Sequence, residues 1–279
     1  MVFVLLMVLV ACLATGCSEE TTGPESKPPP STEWEHNWSD RFGDADAQIG
    51  RGVAVDASGN VIITGHFYST TDFGGGALTS VGNEDIFVAK FAPDGTHLWS
   101  NRFGDGSSEY GRSTAADASG NIIVVGVLYG SVDFGGGTLT DTGSGDIFVA
   151  KFGSDGTHLW SKRYGDSDDQ DVHGVAADAT GNVIIAGDFQ GTVDFGGGAF
   201  TTEHSSRDGY VARYGPNGSH LWSESFGHSE YHEQYATGVT ADASGNVTAT
   251  GFFSGKVDCG GGELTSAGSY DIFVAKFGL

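Results

Sequence analysis

Four aspartates crowd into six residues of one polar stretch: Asp166, Asp168, Asp169 and Asp171. Carboxylates at that density suit a hard cation such as calcium, which takes oxygen ligands, although the spacing is not that of an EF-hand loop. A later stretch holds His228, Glu230, His232 and Glu233, a set able in type to ligate a transition metal. On a loop, however, two histidines four residues apart share no fixed face. Asp44 and Asp46, and Asp105 and Glu109, complete a series of acidic loops that point to a binding face for a cation, a protein or a glycan. The competing reading is that such loops are simply solvated. The chain has no nucleophile elbow, zinc-protease helix, phosphate loop or dinucleotide fingerprint. Acid–base pairs drawn from these loops would be arbitrary choices.

These stretches recur because the whole chain recurs. A Trp-Ser pair stands at Trp38, Trp99, Trp160 and Trp222, in steps of 61, 61 and 62 residues. DASGN or DATGN begins at Asp56, Asp117, Asp178 and Asp242, and DFGGG or DCGGG begins at Asp72, Asp133, Asp194 and Asp258. DIFVAK begins at Asp85, Asp146 and Asp271, with DGYVAR at Asp208. A repeat of this length is one supersecondary unit that buries its apolar surface only against its neighbours. Glycine, 46 of 279 residues, has no three-residue period, so it marks turns rather than a collagen helix.

In each unit GVAVD (52–56) and NVIITGHF (60–67) flank a tight turn, and DIFVAKF (85–91) and HLWSNRF (97–103) flank another. That predicts a four-stranded antiparallel meander, a to d. Strand a is built of small residues, as needed where sheets converge on an axis. Strand b is apolar on both faces, as needed between two neighbouring sheets, and strand d carries the aromatics. The expected fold is therefore all-β, a β-propeller of four-stranded antiparallel blades over residues 36–279. The chain enters at a lone strand d (36–42) and stops after a strand c (271–277), so the expectation is four blades closed by the N-terminal strand. A parallel β-helix is the rival, but its repeats are shorter.

The balance of 36 acidic to 13 basic residues, a net charge of -23, excludes nucleic acid as a partner. Seven basic residues fall at two repeated positions (Arg41, Arg102, Arg163; Lys90, Lys151, Arg213, Lys276), where pairing with the repeat aspartates is expected. The aspartates of the tight turns are read as turn formers rather than metal ligands. His36, His97, His158 and His220, two residues before each Trp, are read as packing groups, with a fourfold metal site as the rival. The tryptophans are expected to pack blade against blade, with a sugar platform as the alternative. Cys259 stands where the other units have Phe73, Phe134 and Phe195, and is expected to be a small buried hydrophobe.

Residues 1–16 contain an apolar run too short to span a bilayer, as in a secretory leader. LATGC (13–17) resembles the lipobox of bacterial lipoproteins, with Ala14 where that box prefers leucine; the resemblance implies lipidation of Cys17. Residues 17–35, rich in Pro, Thr and Glu, then form a tether that builds no core.

GNVIITG, DFGGG, LTS, DIFVAKF, DG and HLWS, in that order, resemble the SBBP-type β-propeller repeat of lipoproteins from myxobacteria and related bacteria. The resemblance covers residues 36–279 and implies a propeller without assigned catalytic residues, with more blades than the four units present. The function expected from these features is a non-catalytic scaffold in the bacterial cell envelope, an outer-membrane lipoprotein anchored through Cys17. Its loop-bearing face would bind a protein, glycan or cation, with calcium as the candidate ion. The enzyme alternative is a hydrolase or lyase of extracellular polysaccharide using loop carboxylates and histidines.

Overall fold

Each repeat begins with a hairpin whose turn is written in its residues. Asp56 Oδ1 accepts hydrogen bonds from the amides of Ser58 and Asn60, and Gly59 takes a positive φ of 80°. The aspartate thus supplies backbone acceptors that the turn would otherwise lack, and glycine supplies a conformation that a Cβ would strain. The computed structural model describes residues 35–202, 206–227 and 232–278, and among them there are strands and turns but no helix. The expected leader (1–16), Cys17 and all but the last residue of the tether (17–35) lie outside the described residues.

Blade 1 consists of β1 (Gln48–Val55), β2 (Val61–Phe67), a short hairpin of β3 (Thr70–Asp72) and β4 (Ala77–Thr79), then β5 (Asp85–Phe91) and β6 (His97–Phe103). Blade 2 repeats this as β7 (Glu109–Ala116), β8 (Ile122–Leu128), β9 (Ser131–Asp133), β10 (Thr138–Thr140), β11 (Asp146–Phe152) and β12 (His158–Tyr164). Blade 3 is β13 (Gln170–Ala177), β14 (Val183–Phe189), β15 (Thr192–Asp194), β16 (Ala199–Thr201), β17 (Asp208–Tyr214) and β18 (His220–Ser225). Blade 4 is β19 (Gln234–Ala241), β20 (Val247–Phe253), β21 (Lys256–Asp258), β22 (Glu263–Thr265) and β23 (Asp271–Phe277). The main sheets run β1-β2-β5-β6, β7-β8-β11-β12 and β13-β14-β17-β18, each antiparallel in the expected a-b-c-d order. These are propeller blades. The small hairpins between strands b and c were not foreseen: DFGGG turns back on itself, and Asp72 Oδ1 accepts from the amides of Gly74 and Gly76.

Strand a packs on strand a along the row, β1 on β7, β7 on β13 and β13 on β19, where the small residues let the backbones approach. The cores lie between blades. Ile62, Ile86 and Val88 meet Ile122, Val124 and Phe148, and Ile147 and Val149 meet Ile185, Phe195 and Tyr210. Ile184 and Val211 meet Val247, Ala249 and Phe273, with Cys259 partly buried at the edge of that core. Trp99 and Trp160 bond to the next blade's c–d turn: Trp99 Nε1 donates to Ser154 O at 3.1 Å and Trp160 Nε1 to Pro216 O at 2.9 Å. The turn glycine there sits under the indole, and a Cβ on Gly218 would fall 2.9 Å from a Trp160 ring carbon. The rim histidines pack on the GGG turns and hold a serine, as in His97 Nε2 with Ser100 Oγ at 3.1 Å.

Six of the seven repeated cations are paired with an aspartate as expected, whereas Arg41 donates to Gly43 O. Lys90 with Asp56 and Lys151 with Asp117 lie 2.9 Å apart and buried, and Arg213 holds Asp178. Arg102 and Arg163 hold Asp85 and Asp146.

Closure of the ring by the N-terminal strand is not made. Blade 4 is the three-stranded sheet β19-β20-β23, and residues 38–42 form no strand. Instead Trp38 Nε1 donates to Pro93 O at 3.1 Å, and Phe42 stacks on Phe91 at 5.3 Å and meets Phe73 at 5.1 Å. The docking is the one that Trp99 and Trp160 make, a strand-d tryptophan bonded to the c–d turn of the blade that comes after it in sequence, here blade 1.

Candidate functional site

Every strand a carries a β-bulge at the same place. Pairing skips one residue between Gly50 and Gly52, Gly111 and Ser113, Val172 and Gly174, and Ala236 and Gly238. The skipped residues are Arg51, Arg112, His173 and Thr237. A bulge frees one residue from the ladder and re-aims its side chain. Here the bulge recurs in every blade while the freed residue is arginine in blades 1 and 2, histidine in blade 3 and threonine in blade 4.

Around the bulges of blades 2 and 3 the side chains form a charged network. Arg112 Nη2 holds Asp171 Oδ2 at 2.9 Å across the blade junction, and lies over the Tyr110 ring at 5.6 Å. His173 Nε2 lies 2.6 Å from Asp188 Oδ1, while Arg207 holds both Asp188, at 2.5 Å, and Asp169. Burial opposes charge on the His173 ring, but the Asp188 bond and the Asp171 charge outweigh it and hold its pKa above the ordinary value. Burial likewise raises Asp171 despite Arg112 and His173. His66, buried and facing Arg51 and Arg112, is pushed down to about 4 and is neutral at pH 7.

Aromatic rings flank the network on both sides. Tyr110 meets Tyr129 edge-on at 5.8 Å, Tyr235 stacks on Phe252 at 4.7 Å, and Phe252 meets Tyr270 at 5.4 Å. Tyr129, Phe252 and Tyr270 are all exposed. A surface of exposed rings beside paired arginines and a His–Asp pair can stack on, and hydrogen-bond to, a polar ligand.

The expected site residues have other employment. Asp44, Asp105 and Asp166 occupy one repeat position, and each clamps the loop entering strand a to the segment after strand b. They accept from Thr70 N at 3.0 Å, Ser131 N at 2.8 Å and Thr192 N at 2.7 Å respectively. Asp46 and Asp168 are exposed. Asp169 and Asp171 are committed to Arg207 and Arg112. Three of the four clustered carboxylates thus have separate partners and Asp168 is exposed, and among the described residues no three His, Cys, Asp or Glu side chains converge as a metal set. Glu109, expected on the binding face, is fully buried, and burial together with the charges of Asp105 and Asp85 pushes it up to about 8. Glu233 accepts from the Tyr270 hydroxyl at 2.5 Å, and the half-buried His232 packs beside Gly255. His228 and Glu230 lie outside the described residues.

Arg112, His173, Asp188, Arg207 and Tyr129 belong to no acidic cluster or motif, so the sequence does not single them out as a site. A signal existed in the strands: within near-identical repeats, position 51 and its equivalents read Arg, Arg, His, Thr, and position 66 and its equivalents read His, Val, Asp, Phe.

No protein-family model matches the chain. It is similar to an uncharacterised WD repeat-containing protein of Acanthamoeba polyphaga mimivirus, 27% identical over 187 residues. The match covers 58% of this chain and 13% of that protein's length. With the repeated antiparallel units, this likeness identifies a β-propeller-like repeat protein.

Proposed function

We propose that the protein is a lipid-anchored scaffold of the bacterial cell envelope, an SBBP-type lipoprotein of the outer membrane, that binds a protein or glycan through the bulge-bearing face. One observation carries the reading: the bulge residues change from Arg51 and Arg112 to His173 and Thr237 on a scaffold whose turn sequences are nearly uniform. Divergence at an aimed position on a uniform frame is how recognition surfaces differ from packing surfaces. The WD-repeat name of the relative is in keeping with an interaction scaffold, though this chain spans only a small part of that protein.

Binding of a panel of neutral and acidic polysaccharides and of envelope proteins tests the face. Tyr129→Ala with Tyr270→Ala should abolish it, whereas Asp94→Ala with Asp155→Ala, in the c–d turns at the other end, should leave it intact. Equal binding by both variants would sink the face assignment. Anchoring rests on LATGC and the tether, and Cys17→Ser should move the protein from the membrane pellet to the soluble fraction.

The His173–Asp188 pair sustains a second reading, a polysaccharide hydrolase or lyase with His173 as the proton-transfer group. Release of reducing ends or unsaturated sugar by the protein, lost in His173→Ala, would replace the scaffold reading; binding without turnover retains it.

A further inference from the structure

The junctions between blades share one arrangement on the bulge-bearing face. The bulge residue of a blade meets two positions: the sixth residue of strand b in its own blade and the second residue of strand a in the next. Between blades 2 and 3 these three are Arg112, Val127 and Asp171, and Arg112 holds Asp171 at 2.9 Å. Between blades 3 and 4 they are His173, Asp188 and Tyr235, and His173 lies 2.6 Å from Asp188. At both junctions one of the two positions thus gives the bulge cation a carboxylate.

Between blades 1 and 2 the three residues are Arg51, His66 and Tyr110, and neither position carries an acid. The two strands a approach closely there: a Cβ on Gly52 would fall 3.0 Å from Ser113 Cα, which sets the bulges of Arg51 and Arg112 side by side. The His66 ring registers the positive field that results. Burial is the first reason that its pKa falls to about 4, and Arg51 and Arg112 lower it further against the opposing charge of Glu84. Glu84 itself accepts from the hydroxyls of Ser108 at 2.7 Å and Tyr110 at 3.4 Å. Arg51 is exposed, with neither a hydrogen bond nor an ion pair among the described residues. Tyr110 sits between His66, edge-on at 4.7 Å, and Tyr129, whose exposed ring lies at 5.8 Å. An exposed guanidinium offers paired donors to a carboxylate, and a neighbouring phenol ring offers a flat face to a sugar.

We infer that the junction of blades 1 and 2 binds a uronate, an acidic sugar whose carboxylate supplies to Arg51 the charge that Asp171 and Asp188 supply at the other junctions, with Tyr129 as the stacking ring. The inference rests on the reading of the bulge-bearing face as a recognition surface and adds the class of ligand. Because the chain carries a net charge of -23, most of its surface repels anions, and the attraction is local to this junction.

Calorimetric titration of the full chain with oligogalacturonate is the test. Binding should weaken about tenfold or more in Arg51→Gln and return in part in Arg51→Lys, with the melting temperature unchanged in both because Arg51 holds no acid. Tyr110→Asp copies the arrangement between blades 2 and 3 and should weaken binding to the same degree, since the guanidinium then has a carboxylate within the protein. The carboxyl-reduced oligosaccharide should bind about tenfold or more weakly than the acid form. No binding of oligogalacturonate, or unchanged binding in Arg51→Gln, would overturn the inference. The recognition reading survives that result if another polysaccharide or an envelope protein binds and Tyr129→Ala with Tyr270→Ala abolishes it. Equal affinity for dextran sulfate would overturn the choice of a carboxylate, and equal affinity for a glutamate oligomer would overturn the choice of a sugar.

Discussion

Blades 2 and 4 contain the same seven-residue strand, DIFVAKF, as β11 and β23. In β11 every residue is buried, and the Lys151 side chain, 1% exposed, holds Asp117. In β23 only Phe273 and Ala275 are buried, and the Lys276 side chain is 58% exposed. Identical letters thus have different energetics. Burial in a repeat array is a property of the neighbour: each blade contributes one face to each junction, and a blade without a neighbour exposes residues that its twin conceals.

The largest test of that contrast is the paired lysine. Lys151→Met strands the buried Asp117 carboxylate and should cost about 3–5 kcal/mol in urea denaturation. Lys276→Met should leave the midpoint unchanged, because the pair it breaks lies in solvent. Equal losses would mean that blade 4 is covered in solution.

Ile147→Ala should cost about 2–4 kcal/mol through lost burial and the cavity left behind. Ile272→Ala should cost far less, because Ile272 is 79% exposed, and thermal melts of both variants check the difference.

A smaller effect comes from a position where the blades differ in chemistry rather than burial. Gln48, Gln170 and Gln234 stand at the start of strand a, and Gln170 Nε2 donates to Asp166 Oδ1 and Gln190 O, both at 2.9 Å. Blade 2 has Glu109 there, which has no such donor when ionised. Its pKa rises from the ordinary 4.5 to about 8 on folding, so the folded state binds the extra proton between those values. Stability should fall as pH rises through that window. Glu109→Gln should therefore have little effect at pH 4 and stabilise by about 1 kcal/mol or more above pH 8. A variant with an unchanged pH profile would show that Glu109 ionises freely.

The smallest contrast is at the rim. Trp160→Phe loses the bond to Pro216 O and should cost about 1 kcal/mol. Trp222, which meets Phe277 at 5.6 Å, should tolerate the same change with a smaller shift in melting temperature.

Blade architecture was legible in the chain because its signals are local. The ASG and PDG turns, the alternation around them and the step of about 61 residues specify a four-stranded meander without reference to distant contacts. Charge pairing at Lys90, Lys151 and Arg213 was legible too, since a cation and an aspartate recurring in step within one blade are brought together by the same strand pairing in each copy. The acidic loops misled for a related reason. Asp166, Asp168, Asp169 and Asp171 look like one ligand set in sequence, but a six-residue segment crossing a blade junction sends neighbouring side chains to different blades, Asp171 to Arg112 and Asp169 to Arg207.

What the chain determined alone was therefore everything with short range: the period, the turns, the strand order within a blade and the small residues of the inner strand. Tertiary structure decided which carboxylates are neutralised, which residue each bulge frees, and where the N-terminal segment lies. These outcomes depend on contacts between blades, and such contacts are set by how whole sheets pack. A bulge shows only when two strands are in register, and the placement of Trp38 on Pro93 follows from a docking rule that one repeat cannot express by itself.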